Sequence, residues 1–185
     1  MNRQVLMKIK VDDITEKPKL LSFEEPFDVF PSLVEIQKAG GCVFLAPLSI
    51  ELKACKEYDH LRVSGSVTSK IRVNCSRCLT SFDSDLDLVF TIFYTEANRL
   101  GVEEEELELA EEDLVSVSYV GNEIDFSSEV AEQVIMELPL KPLCNDECKG
   151  LCPSCGVDLN EVDCECERSV FNLKFSALKN FRVDS

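Results

Sequence analysis

Hydrophobic and polar residues alternate through much of residues 1–95. Val5, Met7, Ile9 and Val11 alternate with Gln4, Lys8 and Lys10, and Phe44, Ala46, Leu48, Ile50 and Leu52 follow the same rule. Leu61, Val63, Val67, Ile71 and Val73 share one face with Gly65 and Ser69, while Arg62, Ser64, Ser66, Thr68, Lys70 and Arg72 take the other. Leu86, Leu88, Phe90, Ile92 and Tyr94 alternate again, against Asp85 and Asp87. A period of two puts one side of a strand in a core and the other in water. The pattern predicts mainly antiparallel β-structure, as a sheet or a partly open barrel, over residues 1–95.

The period changes downstream. Glu103, Glu104, Glu105 and Glu106 form a like-charge block, followed by Glu108, Glu111, Glu112 and Asp113. Such blocks are usually solvated, so residues 96–126 read as an acidic connector. Val130, Val134 and Leu138 then recur at helical spacing, widened by Ala131 and Ile135, with Ser127 or Ser128 as the cap and Pro139 and Pro142 as the stop. A second amphipathic segment at 169–181 places Phe171, Phe175 and Leu178 on one helical face. Residues 127–185 are thus read as a helix, a cysteine-rich segment and a C-terminal helix. The whole, 1–185, is expected to be a single α+β domain.

Cysteine spacing changes this picture most. Eight of the ten cysteines fall into four close pairs: Cys75/Cys78, Cys144/Cys148, Cys152/Cys155 and Cys164/Cys166. The N-terminus lacks the apolar core of a signal peptide, and no apolar run approaches the roughly 18 residues of a membrane span. A cytoplasmic protein without membrane attachment is therefore expected. In a reducing compartment, paired cysteines serve as metal ligands or redox thiols more often than as disulfides. A disulfide within Cys164-Glu165-Cys166 would also close a small, strained ring. Two tetrahedral Zn²⁺ sites of four thiolates each account for all eight cysteines.

Cys152-Pro153-Ser154-Cys155-Gly156 reverses tightly, and Cys164 and Cys166 follow close enough to close a local site. Cys144 and Cys148 would then join Cys75 and Cys78, which lie in a turn between two predicted strands. The rival division groups Cys144, Cys148, Cys152 and Cys155 and sends Cys164 and Cys166 to the hairpin. The sequence leaves both open. Of the unpaired cysteines, Cys42 continues the apolar face of its strand and reads as a small buried hydrophobe, whereas Cys55 has no partner signal.

Four-thiolate sites leave no open coordination position, which argues for structure rather than catalysis. The only histidine, His60, stands in a predicted loop, and no phosphate-binding glycine motif is present. No enzyme activity is expected. A thiol oxidoreductase using Cys75 and Cys78 is disfavoured, because a redox CxxC normally caps a helix and this one bridges strands.

The net charge of −16 is uneven. Residues 1–95 carry 12 Lys/Arg and 13 Asp/Glu, whereas residues 96–185 carry 7 and 22. The acidic half repels phosphate backbones and attracts basic proteins. Arg62, Lys70 and Arg72 offer a stripe for direct RNA contact, with Lys53, Lys56 and Arg77 expected nearby, but the outward face of a strand is commonly charged.

The run Val73-Asn74-Cys75-Ser76-Arg77-Cys78-Leu79 resembles the YceD family, a former domain of unknown function. So does the longer run from Pro139 and Leu140 through Cys144-Asn145-Asp146-Glu147-Cys148-Lys149-Gly150-Leu151-Cys152-Pro153-Ser154-Cys155-Gly156 to Asn160. The similarity extends from about residue 40 to the end of the chain. The resemblance implies a role in accumulation of large-subunit ribosomal RNA and carries no established catalytic residues. Family genes often neighbour that of a small basic large-subunit ribosomal protein. Some members keep the hairpin CxxC and a pair like Cys144/Cys148 while losing other tail cysteines, which favours the first grouping above. Charge and resemblance together suggest a partner: a basic ribosomal protein or a pre-ribosomal particle. The alternative is a zinc-stabilised interaction module with no ribosomal role.

Overall fold

The computed structural model describes residues 7–58, 60–97 and 116–166. The described residues fall into two compact units: those within Met1–Val73 and Ser81–Leu140, and those within Asn74–Thr80 and Lys141–Ser185.

The first unit is built on a mixed, open sheet. Its strands are β2 (Lys19–Glu25), β3 (Val43–Phe44), β4 (Leu48–Glu57), β5 (His60–Asn74), β6 (Ser81–Glu96) and β7 (Ser116–Tyr119). They run in the order β2-β4-β5-β6-β7, with β3 also on β5. The end strands β2 and β7 do not meet, so the sheet does not close into a barrel. β7 lies parallel to β6, whereas β2, β4 and β5 pair antiparallel. The expected strand through Phe44 and Leu52 is interrupted at Leu45–Pro47, since Pro47 has no N–H to give the ladder. Leu45 N–H and the Ala46 carbonyl remain tied to β5, through the Lys70 carbonyl and the Ser69 hydroxyl.

Alternation decides which face is buried. Leu61, Val63, Val67, Ile71 and Val73 of β5 and Leu86, Leu88, Phe90, Ile92 and Tyr94 of β6 all lie in the core, as their period requires. Gly65 is the exception that lets the sheet pack. A Cβ there would stand 2.4 Å from Phe90 Cζ and 2.7 Å from Leu52 Cδ2. The Phe90 ring thus covers the backbone where a side chain would otherwise stand.

Two helices cover this face. In α1 (Pro31–Lys38), proline occupies the first turn, where its missing N–H costs nothing. In α2 (Ser127–Glu137), Val130, Ala131 and Val134 are buried, and the helix packs on β6 and α1. The start of α2 differs from expectation. Neither Ser127 nor Ser128 caps it; instead the Asp125 carboxylate accepts the Ser127 N–H at 3.0 Å. A small second sheet pairs β1 (Lys8–Lys10) with β8 (Glu123–Asp125), setting Lys8 opposite Asp125 and Lys10 opposite Glu123.

Residues 96–126, expected as a connector, thus contain β7 and β8. The acidic block at 103–113 and the expected helix at 169–181 lie outside the described residues. Cys42 is buried in the core, and burial pushes its thiol pKa upward. Cys55 is half-buried on β4.

Candidate metal centres

In the second unit, two CxxC segments form turns of the same construction. In the first, Leu79 N–H donates to the Cys75 carbonyl at 2.9 Å and Leu79 has φ +63°. In the second, Gly156 N–H donates to the Cys152 carbonyl at 2.8 Å and Gly156 has φ +76°. The residue after the second cysteine must therefore be left-handed, which glycine adopts freely and leucine does not. Leu79 is largely exposed, so little packing compensates it. Leu79→Gly is expected to raise stability by up to about 1 kcal/mol, seen as a higher denaturation midpoint; a fall would show that the leucine side chain packs usefully.

These turns gather the cysteines in the first of the two divisions weighed above. The Sγ atoms of Cys75, Cys78, Cys144 and Cys148 lie within 4.8 Å of one another, and so do those of Cys152, Cys155, Cys164 and Cys166. Individual separations are 3.7 Å for Cys75–Cys148 and 3.6 Å for Cys78–Cys144. Four sulfurs around one tetrahedral zinc would stand about 3.8 Å apart, so the thiols fit such an ion. Each group can hold a metal ion.

The two differ in exposure. Cys75, Cys78 and Cys148 are buried, whereas in the tail group only Cys152 is. Within each group the thiols are unequal. The Cys75 thiol is pulled down to about 6, chiefly by the Cys78 backbone N–H. Cys152 is likewise pulled down to about 6, by the N–H groups of Cys155 and then Ser154. Cys144 is pushed up to about 12, first by its hydrogen bond with Cys78. Cys166 is pushed up to about 12 by Cys155 and then Cys164. A turn full of N–H donors makes the first thiolate easy, and its charge makes the last one hard. A bound dication would reverse that penalty.

Arg77 organises the hairpin group. Its Nη1 donates to the carbonyls of Cys148 at 2.9 Å and Asp146 at 3.1 Å. Its backbone N–H reaches Cys75 Sγ at 3.4 Å, and its carbonyl accepts the Leu151 N–H at 3.1 Å. Gly150, at φ +75°, lets the chain pass this carbonyl, which a Cβ would approach to 3.0 Å. Asn145 shapes the other half, its Oδ1 accepting the Glu147 N–H at 2.9 Å. From sequence Arg77 reads as a neighbour of the basic stripe, whereas its guanidinium is spent on the carbonyls of Asp146 and Cys148; Asn145 and Asn160 carry no signal beyond their place inside the motif.

The basic stripe is less available than the sequence suggested. Arg72 holds Asp83 through Nε at 2.6 Å and Nη2 at 3.1 Å. Lys70 pairs with Asp85 at 3.5 Å and Arg62 with Glu57 at 3.6 Å. Each cation on this stripe faces a carboxylate, which offsets its pull on phosphate. His60 begins β5 and rests edge-on against Phe93, with ring centroids 5.1 Å apart.

Fold and site define an α+β protein with two four-cysteine centres, one of which spans a β-hairpin turn. Residues 63–182 match the family described as large ribosomal RNA subunit accumulation protein YceD. The chain belongs to the YceD family. It is 26% identical over 156 residues to the large ribosomal RNA subunit accumulation protein YCED homolog 1, chloroplastic, of Arabidopsis thaliana, covering 74% of this chain and 49% of that one. It is 25% identical over 146 residues to the protein of the same name in Zea mays, covering 65% and 49%. An uncharacterized protein of Mycobacterium bovis is 30% identical over 114 residues, covering 62% and 52%. The chain spans about half the length of these curated relatives. No solved structure matches it. Among the described residues no helix is long and apolar enough to cross a membrane.

Proposed function

We propose that this chain is a non-catalytic, zinc-dependent cytoplasmic factor in large ribosomal subunit biogenesis. In this reading it supports accumulation of large-subunit ribosomal RNA by binding a basic ribosomal protein or an assembly intermediate. The observation that carries the binding mode is the charge distribution. Residues 96–185 have 22 acidic against 7 basic side chains, while the candidate RNA-contacting residues Arg62, Lys70 and Arg72 face carboxylates. Attraction to a basic partner is favoured over direct phosphate contact. Zinc at Cys75, Cys78, Cys144 and Cys148, and at Cys152, Cys155, Cys164 and Cys166, would hold the fold without an open position for chemistry.

A thiol-redox role finds some support in the lowered pKa of Cys75, but that residue is 0% exposed and an external disulfide has no route to it. Insulin reduction lost in Cys75→Ser would reverse this judgement.

Affinity capture from cell extract followed by sucrose-gradient sedimentation tests the proposal. Ribosomal proteins or pre-ribosomal particles should co-purify at low salt and be lost as salt rises, because exposed charge pairing is screened within about 8–10 Å at 0.1–0.15 M. No salt-sensitive ribosomal enrichment would leave the other reading, a zinc-stabilised interaction module outside ribosome assembly.

A further inference from the structure

Asn160 sits in the loop between Cys155 and Cys164, so it belongs to the tail centre by chain position. Its side chain serves the other centre. Asn160 Nδ2 donates to Cys148 Sγ at 3.3 Å, and Oδ1 accepts the N–H of Lys149 at 2.8 Å. The same Nδ2 donates to Asp158 Oδ1 at 2.7 Å, and Asp158 Oδ1 also accepts the Asn160 N–H at 2.9 Å. These partners fix the orientation of the amide. Turned over, its oxygen would face a carboxylate and a thiolate, both acceptors, and its NH₂ would face an N–H donor. Two backbone links run beside it: Leu159 N–H to the Gly150 carbonyl at 2.9 Å, and Leu151 N–H to the Arg77 carbonyl at 3.1 Å. A short ladder therefore joins the loop of the tail centre to both halves of the hairpin centre.

We propose that Asn160 couples the two metal centres: closing the tail centre presents its amide N–H to the Cys148 sulfur and so tightens metal binding at the hairpin centre. The physical basis is charge. Four thiolates around a dication carry a net −2, and each N–H donated to a sulfur spreads that charge and fixes the ligand's direction. Arg77 supplies such a donor to Cys75 from the hairpin itself. The donor to Cys148 comes from Asn160, whose position depends on the loop that Cys155 and Cys164 would anchor. Asn160 is a positioning residue, and the coupling is reciprocal by linkage. The inference rests on the reading that both cysteine groups hold zinc.

The test is cysteine alkylation across a series of buffered free zinc concentrations, resolved residue by residue with mass spectrometry. Wild type should show two protected groups of four cysteines; fewer would defeat the zinc reading itself, apart from the coupling. Asn160→Asp keeps an acceptor for Lys149 N–H but removes the donor to sulfur, and Asn160→Ala removes both. Each variant should move protection of Cys75, Cys78, Cys144 and Cys148 to about 10–100-fold higher free zinc, the usual size of such an outer-partner loss. The tail cysteines should move less. Cys166→Ser, which opens the tail centre, should shift the hairpin group in the same direction. Combined with Asn160→Ala, the two shifts should not add. With two protected groups present in wild type, an unmoved hairpin group in either Asn160→Asp or Cys166→Ser would overturn the coupling. So would fully additive shifts when Cys166→Ser is combined with Asn160→Ala, which would mark two independent losses.

Discussion

A strong chelator is expected to unfold residues 74–80 and 141–166 while leaving the β4–β6 strands folded. In a ¹H–¹⁵N spectrum, amides of the former should collapse toward random-coil positions, and those of 48–57, 61–73 and 81–96 should keep their dispersion. The reason is the composition of the two interiors. The first unit has a large apolar core including Leu48, Ile50, Leu52, Val63, Val67, Ile71, Leu86, Phe90 and Tyr94. Among the described residues of the second, the buried apolar ones are Cys75, Cys78, Cys148, Cys152 and Leu159, which is four thiols and one leucine. Without an ion such an interior has little to hold it, since burying one leucine yields only about 1.5–3 kcal/mol. Zinc binding by cysteine-rich peptides supplies about 10–16 kcal/mol at neutral pH, enough to carry the fold of so small a unit. Metal analysis should find two zinc ions per chain, falling to one in a Cys75→Ser/Cys78→Ser variant. Dispersion in the second unit that survives full metal removal would contradict this account.

The second large effect is expected at Gly65. An added methyl would stand 2.4 Å from Phe90 Cζ and 2.7 Å from Leu52 Cδ2, and both side chains are buried. Gly65→Ala should therefore destabilise by about 1–3 kcal/mol, the usual cost of overfilling a packed interior. The gain of about 0.4–1 kcal/mol from a stiffer unfolded chain offsets only part of this. Denaturant titration should show a lower midpoint at unchanged slope. Gly65→Ala combined with Phe90→Leu should recover part of the loss relative to Phe90→Leu alone, because the ring tip is the obstacle. Wild-type stability in Gly65→Ala would show that the ring can step aside freely.

The strands easiest to read in the sequence were β4, β5 and β6. Each is wet on one face and dry on the other, which is the condition that writes a period of two into a sequence. β2 escaped notice because it is an edge strand: Leu20 is 76% exposed beside half-buried Leu21 and Phe23, which blurs the alternation. β7 and β8 are short and follow an acidic run, so charge outweighed pattern. α1 buries only Leu33 and starts without a polar cap, leaving neither a stripe nor a boundary to read. In the site, the cysteine pairs were plain because a tight turn needs them close in sequence. Their grouping was not, since Cys75 and Cys148 meet across 73 positions. The roles of Arg77 and Asn160 at the cysteines were hidden for a further reason. Both residues act through hydrogen bonds to loop backbone and sulfur, and such bonds impose no periodicity.

The sequence gap inside the hairpin centre also sets an order of events during synthesis. Cys78 is made 66 residues before Cys144. At about 5–20 residues per second, the turn waits roughly 3–13 seconds for its missing thiols. During that interval Cys75 and Cys78 offer only two sulfurs to any ion. The tail centre, drawn from residues 152–166, has no comparable wait. Completion of the hairpin centre therefore records that translation has passed Cys148, and a chain stalled within the acidic stretch cannot acquire it.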